Sequence, residues 1–282
     1  MFKLFYKVKK VVHQYILQYL LLITGGIMGG AEDLGKSLRE VIKKPPKLIC
    51  SDIDGVLTVT RGNFLLDLDL MKKFRLIRKT GVLTCLASAN SYPVVMTLVR
   101  YLDLDKILIA EGGCIINVDG EIIHLTEKEA KSIGVELAEL FGLEKSWQNR
   151  YRHHDIALTF PRSLPLEEVE KEVHRIQEYV ARNYPGFKLV YSGYAMHVVP
   201  EECDKGSALQ EIMRRLGLRP DDVIAVGDSS VDSSMLKVAG TGVAPLDADD
   251  DAKEAADVII PKKASEATHQ LIDHVIHLLK EQ

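Results

Sequence analysis

Asp52 and Asp54 stand two residues apart in Asp52-Ile53-Asp54-Gly55-Val56-Leu57-Thr58, directly after the apolar run Leu48–Cys50. On an extended strand end, residues two apart point to the same side. Carboxylates held that close repel unless a cation lies between them or one keeps its proton. The bland reading is a strand end with an Asp-Gly turn. Residues further along favour more. Ser88, then Asp228 and Asp232, also follow apolar runs, and Lys205 opens a helix-like stretch. In an open parallel sheet, the carboxyl ends of neighbouring strands share one crevice. There the carboxylates of Asp52 and Asp228 and the Asp54 carbonyl are hard oxygen donors of the kind that suit Mg²⁺. The Ser88 hydroxyl and the Lys205 ammonium suit phosphate oxygens. An aspartate held against metal and phosphate can attack phosphorus and form an aspartyl-phosphate. A second carboxyl can protonate the leaving oxygen and then deprotonate water. Asp52 takes the first role in this reading and Asp54 the second.

The elements that would position these groups can be read from periodicity. Leu66–Thr80 has the pattern of a helix closed by Gly81. Val82–Ala87 and Lys106–Ala110 read as buried strands around a helix opened by Pro93. Asp119-Gly120 marks a hairpin between Cys114–Val118 and Glu121–His124. Thr126 with Glu129 has the form of a capping box, predicting a helix from there to about Phe141. Strand Asp155–Phe160, helix Leu166–Asn183 and strands Phe187–Tyr191 and Ala195–Val199 follow, an α+β insertion. Strand–helix alternation resumes at Asp204 and ends in a helix over Ala264–Lys280. The expected fold class is α/β: a doubly wound parallel, Rossmann-like core with an inserted α+β unit. The expected division is an N-terminal helical extension over 1–45, a core over 46–125 and 199–282, and the insertion over 126–198.

Taken together, Asp52-Ile53-Asp54-Gly55-Val56-Leu57-Thr58, Ser88, Lys205 and Gly227-Asp228…Asp232 resemble the four motifs of the haloacid dehalogenase (HAD) phosphohydrolase superfamily. An insertion between the second and third motifs resembles the class with a type IIB cap. Asn149-Arg150-Tyr151-Arg152, Tyr191-Ser192-Gly193-Tyr194-Ala195-Met196-His197 and Asp204-Lys205 are similar to archaeal phosphoglycolate phosphatases. The resemblance covers about residues 47–282. It implies Mg²⁺ held by Asp52, the Asp54 backbone, Asp228 and Asp232, the last directly or through water. It implies a phosphoryl group held by Lys205, Ser88 and Asn90, and a cap that reads the leaving group. Arg150 or Arg152 could then pair with a substrate carboxylate, because guanidinium fits carboxylate in bidentate fashion. The alternative for both is a solvated loop charge. Some positions depart from the family pattern. Ala89 stands for Gly, Gly112 for Asn in a Glu-Asn-Gly-Gly run that here ends at Cys114, Val231 for Asn before the last motif aspartate, and Asp247 for a later Asn near the metal.

The implied substrate is a small phosphorylated acid, 2-phosphoglycolate first. The rivals are a phosphorylated sugar or sugar acid of the sucrose-phosphate or mannosyl-phosphoglycerate type, or a phospho-ligand binding protein that has lost turnover. A net charge of −4 without a basic stripe argues against nucleic acid as a partner. Four widely spaced cysteines argue against a zinc site or disulfide framework and fit a reducing cytosol, so a cytoplasmic location is expected. The basic start and charge-free run over 11–31 allow a packed or loosely attached helix or, less favoured, membrane contact or a translation start at Met28. Oligomeric state stays open, a homodimer included. His153-His154 is read against metal binding, since strand neighbours face opposite ways. Trp147 and Tyr194 are expected to pack inside the insertion. Of the acidic run from Asp247 to Asp251, Asp247 alone is expected to approach the site.

Overall fold

The computed structural model describes residues 35–161 and 165–281. Five strands come first: β1 (Leu48–Asp52), β2 (Leu83–Ala87), β3 (Ile107–Ala110), β4 (Ile115–Val118) and β5 (Glu121–His124). Four short strands follow: β6 (Glu144–Lys145), β7 (Ile156–Thr159), β8 (Phe187–Tyr191) and β9 (Met196–Pro200). The last three are β10 (Val223–Val226), β11 (Thr241–Pro245) and β12 (Val258–Ile260). One sheet has the order β12-β11-β10-β1-β2-β3-β4-β5, parallel from β12 to β3 and antiparallel beyond.

The parallel strands are apolar on both faces because helices cover both faces. Alternation sorts the side chains cleanly. Ile49, Leu86, Leu108, Ile224 and Val226 join one core with the helices Leu68–Thr80, Tyr92–Tyr101 and Ala264–Lys280. Leu48, Cys50, Cys85, Ile107, Val223 and Ala225 join the other with the helices Lys205–Leu216, Ser233–Val238 and Asp250–Ala255. Phe74, the bulkiest of the fully buried side chains, fixes the Leu68–Thr80 helix to the first core. That helix starts where Asp67 accepts the amides of Asp69 and Leu70, and ends at Gly81 in the left-handed region with φ 97°. All four cysteines are buried and free, as small apolar packing groups.

The second sheet has the order β6-β7-β9-β8 and is antiparallel. Helices Lys131–Phe141 and Leu166–Asn183 pack on it. The long helix presents Val169, Val173, Ile176 and Val180, spaced for one buried stripe, and its other face is charged. The molecule is therefore an α/β core with a separate α+β cap. The capping box expected at Thr126 and Glu129 does not form, and the helix begins at Lys131. The Thr126 hydroxyl donates to Glu202 at 2.7 Å, so the chain's outward crossing into the cap is tied to its return crossing. Lys128 reinforces the tie with an ion pair to the same carboxylate at 2.8 Å. Strand β6 was not expected; both its residues are exposed and carry no apolar signal. Within the extension expected to be helical, a helix is seen over Gly35–Val41, and Leu38 with the following Ile42 is buried in the first core. The run over 11–31 lies outside the described residues. Among those described, no helix is long and apolar enough to cross a membrane.

Candidate active site

Strand β1 lies between β10 and β2, so the ends of these three strands open side by side. Asp52 ends β1, Ser88 follows β2, and Gly227-Asp228 follows β10. After Asp52 the chain must turn sharply. Gly55 makes the turn at φ 80°, a region that favours glycine. A Cβ at that position would also run into the Asp228 carboxylate, so Gly55 lets the two loops meet.

Lys205 is the pivot of the site. It is almost fully buried, and its Nζ donates to Asp52 Oδ1 at 2.6 Å and Asp232 Oδ1 at 2.5 Å. Burial alone would depress the ammonium; Asp232 and Asp52 outweigh it and hold its pKa well above the ordinary lysine range. The other oxygen of Asp232 accepts from the Asp228 amide at 3.1 Å, the Ser229 amide at 3.0 Å and the Ser229 hydroxyl at 2.8 Å. Asp232 is thus fixed in one orientation. Burial, then Asp232, push the Asp228 carboxyl up to about 7, against the pull of Arg61. Burial, then Asp232, also raise Asp52 well above the carboxylate range, while Lys205 opposes. Burial raises Asp54, opposed by Lys205 and a hydrogen bond from Asn90. A carboxyl held up in this way can carry a proton to a leaving group.

Asp52, Asp228 and Asp232 offer oxygens that all lie within 4.8 Å of one another. The donors are oxygen only, and the carboxylates of Asp52, Asp54, Asp228 and Asp232 outnumber the cationic groups Lys205 and Arg61 that face them. Both properties fit a hard divalent cation. The Ser88 hydroxyl accepts from the Asn90 amide at 3.0 Å and from Asn90 Nδ2 at 2.9 Å, which leaves its own hydrogen free to donate outward. Asn90 Nδ2 also reaches Asp54 Oδ2 at 3.3 Å.

The two arginines part ways. Arg150 is exposed, with its guanidinium 6.0 Å from the Tyr151 ring centre. Arg152 is buried, and one nitrogen, Nη1, donates to both oxygens of Asp155, at 2.7 and 2.6 Å, and to the Ala89 carbonyl at 2.9 Å. Its charge is thus already matched by Asp155 inside the cap. Trp147 and Tyr194, expected inside the insertion, are 65% and 63% exposed, so that expectation is corrected. Tyr194 meets Phe64 of the core edge-on, ring centres 5.2 Å apart. His154 bonds through its two ring nitrogens to His124 and to the Lys128 carbonyl.

Four residues near the site, Arg61, Glu111, Gln148 and Asp249, are given no role there by the sequence. Arg61 donates to Asp228 Oδ2 at 2.6 Å, to Asp249 Oδ1 at 2.5 Å and to the Asp247 carbonyl at 3.1 Å. In the acidic run it is Asp249, not Asp247, whose side chain faces the site. The Asp247 side chain instead accepts the Ala264 amide at 3.0 Å, at the start of the last helix. Glu111 is buried and accepts the amides of His153 and His154 from the cap. Gln148 reaches from the cap to Asn90 and Ser91. The Gly112 departure has a physical reason: its φ of 63° is a left-handed position, which Gly and Asn both accept.

The chain resembles known proteins over most of its length. Residues 143–272 match the haloacid dehalogenase-like hydrolase family. A phosphoglycolate phosphatase of Staphylothermus marinus is 34% identical over 233 residues, covering 82% of this chain and 98% of that protein. Phosphoglycolate phosphatase 1 of Saccharolobus solfataricus is 33% identical over 230 residues, covering 82% and 96%. The crystal structure of Thermoplasma acidophilum 0175 superposes with a TM-score of 0.69 at 25% identity, covering 81% of this chain and 97% of that one. With relatives matched almost end to end, on a fold whose strand ends gather carboxylates around one lysine, the chain belongs to the haloacid dehalogenase-like hydrolases and is a phosphoric monoester hydrolase among them.

Proposed function

We propose that the protein is a Mg²⁺-dependent phosphatase that hydrolyses 2-phosphoglycolate to glycolate and phosphate through an aspartyl-phosphate on Asp52. The observation that carries this reading is Lys205 bridging Asp52 and Asp232, with Asp54 two residues on and raised from its ordinary value by burial. Bound Mg²⁺ would supply charge neutralisation for the phosphoryl oxygens, held by Asp52, Asp228, Asp232 and the Asp54 carbonyl. Lys205 keeps one Asp52 oxygen turned aside and offers its remaining N–H to the phosphoryl group. The free hydroxyl hydrogen of Ser88 donates to a second phosphoryl oxygen. The Asp52 carboxylate attacks phosphorus as the P–O bond to the glycolate oxygen breaks. Asp54 gives its proton to that oxygen. The ionised Asp54 then takes a proton from water, which attacks phosphorus, releases phosphate and restores the Asp52 carboxylate.

The substrate assignment draws on the two relatives named phosphoglycolate phosphatase. The unit over 126–198 would act as a cap over a core of 46–125 and 199–282, with the exposed Arg150 pairing with a substrate carboxylate. The buried reduced cysteines fit a cytoplasmic protein. The test is phosphate release from 2-phosphoglycolate, sugar phosphates and carboxylate-free phosphoesters, with Mg²⁺ and with EDTA. Release should be fastest from 2-phosphoglycolate and vanish with EDTA. Equal or faster release from carboxylate-free phosphoesters sinks the substrate assignment, and release that survives EDTA sinks the metal. Asp52→Asn should cut turnover by roughly 10⁴–10⁶-fold, the scale seen when a member of a nucleophilic unit is removed.

A further inference from the structure

We propose that Gln148, a cap residue, is a positioning residue for phosphoryl transfer: it sets which way the Asn90 amide points, and so which atoms Ser88 and Asp54 meet. The inference rests on the phosphatase reading and deepens it. Gln148 lies in the turn Trp147–Tyr151, which is fixed to β7. Asn149 holds the turn by donating to the Ala157 carbonyl at 2.8 Å and accepting the Ala157 amide at 2.9 Å. From this turn the Gln148 side chain crosses to the loop after β2. Its Oε1 accepts the Ser91 amide at 2.8 Å and its Nε2 donates to Asn90 Oδ1 at 2.7 Å.

The polarity of this relay is fixed at its origin. A backbone N–H can only donate, so Gln148 must turn its oxygen to Ser91 and its nitrogen to Asn90. Asn90 must then accept with Oδ1, which leaves Nδ2 facing Ser88 Oγ at 2.9 Å and Asp54 Oδ2 at 3.3 Å. With Nδ2 donating to it, Ser88 Oγ acts as acceptor there and its own hydrogen stays available for a phosphoryl oxygen. Were the Asn90 amide reversed, Ser88 would spend its hydrogen on Asn90 Oδ1, and Asp54 would face an oxygen in place of a donor. The relay runs from the Ser91 amide through the cap residue Gln148 and back to the catalytic loop, so Gln148 sets the amide direction only while the cap is seated. Cap position and the readiness of Ser88 and Asp54 are thereby one event.

Two substitutions separate direction from bulk. Gln148→Ala removes the relay and leaves Asn90 to find its own orientation. Gln148→Glu keeps the size and can still accept from Ser91, but it offers Asn90 an acceptor and so drives the amide to reverse. Gln148→Ala should lower kcat about 10-fold and Gln148→Glu about 100-fold, the range seen for residues that orient the groups in contact with a metal or substrate. KM should change less than kcat, and the thermal midpoint should stay near that of the parent. In an Asn90→Ala background the difference between the two Gln148 variants should disappear. A filler role predicts the opposite order, with the isosteric Glu milder than Ala. That order, or a Glu penalty that persists without Asn90, overturns the inference. Orthovanadate affinity in the presence of Mg²⁺ gives the same ranking without turnover. A parent protein that binds vanadate and releases no phosphate from any ester would end the phosphatase reading, while the ranking of the variants would still decide the role of Gln148.

Discussion

Two buried ionic clusters among the described residues are built on opposite principles. In the cap, Asp155 is matched by Arg152 and accepts from His197 at 2.9 Å. Burial pushes the Asp155 carboxyl up, yet Arg152 and His197 bring it below the ordinary range. Burial keeps His197 low, so the trio closes as one anion with one cation. In the core, Asp52, Asp54 and Asp228 are all shifted upward, by burial first and then by neighbouring carboxylates that Lys205 and Arg61 do not fully offset. A cluster that satisfies itself is a strut. A cluster left with surplus charge is ready for a ligand of the opposite sign, which is why displaced carboxyl pKa values point to function.

The largest test of this contrast is in the cap. Asp155→Asn leaves the buried Arg152 charge without its anion and should cost about 3–5 kcal/mol in chemical denaturation. Turnover per folded molecule should fall far less than for Asp52→Asn. A mild stability loss with abolished turnover would mean that the cap trio is part of the catalytic apparatus.

The second test uses pH, where the clusters have opposite signs. The folded protein holds Asp228 at about 7, above its unfolded value, so the stability it contributes is complete at low pH and is lost as pH rises through 7. Asp155 is lowered, so its contribution is present above the ordinary carboxylate range and is lost only as pH falls through its depressed value. With EDTA present, unfolding free energy should drop by about 1.4 kcal/mol for the Asp228 group between pH 6 and 8. Asp228→Asn should remove that share of the decline even as it lowers phosphate release, leaving the share of Glu111, which burial and then Asp155 also raise to about 7, and Mg²⁺ should offset the Asp228 share in the parent. A decline unchanged in Asp228→Asn would assign the surplus charge elsewhere. The smallest effect belongs outside both clusters. Asp67→Ala removes a helix cap and should cost about 1 kcal/mol with turnover intact.

The strand-end residues were legible in the sequence because their signal is local: an apolar run, then an acid, then a turn. The same holds for the helix ended by Gly81 and for the hairpin at Asp119-Gly120. Arg61 was not legible, since its partners Asp228 and Asp249 lie 167 and 188 residues away and no spacing links them. Glu111 and Gln148 have the same difficulty across 42 and 58 residues. Asp247 and Asp249 could not be told apart because no regular element sets which way either points until the start of the last helix claims Asp247. Thr126 carried a capping pattern, and its oxygen does accept the Lys128 amide while its hydrogen goes to Glu202, but the helix itself begins only at Lys131.

That same bond has a consequence for how the protein could be cut and rebuilt. Thr126 and Glu202 hold the outgoing and returning chain together at the border between the two sheets. The core therefore sees the cap as a loop whose ends already touch. Closing such a loop costs little extra entropy however long the insert, since the cost grows only with the logarithm of length. A short glycine-rich splice across that point should leave a core able to close on itself, and a foreign module with adjacent termini could take the vacated place. Core and cap are thus separable parts, tied at the crossing by Thr126 and Lys128 on Glu202 and bridged beyond it by Glu111, Gln148 and Arg152.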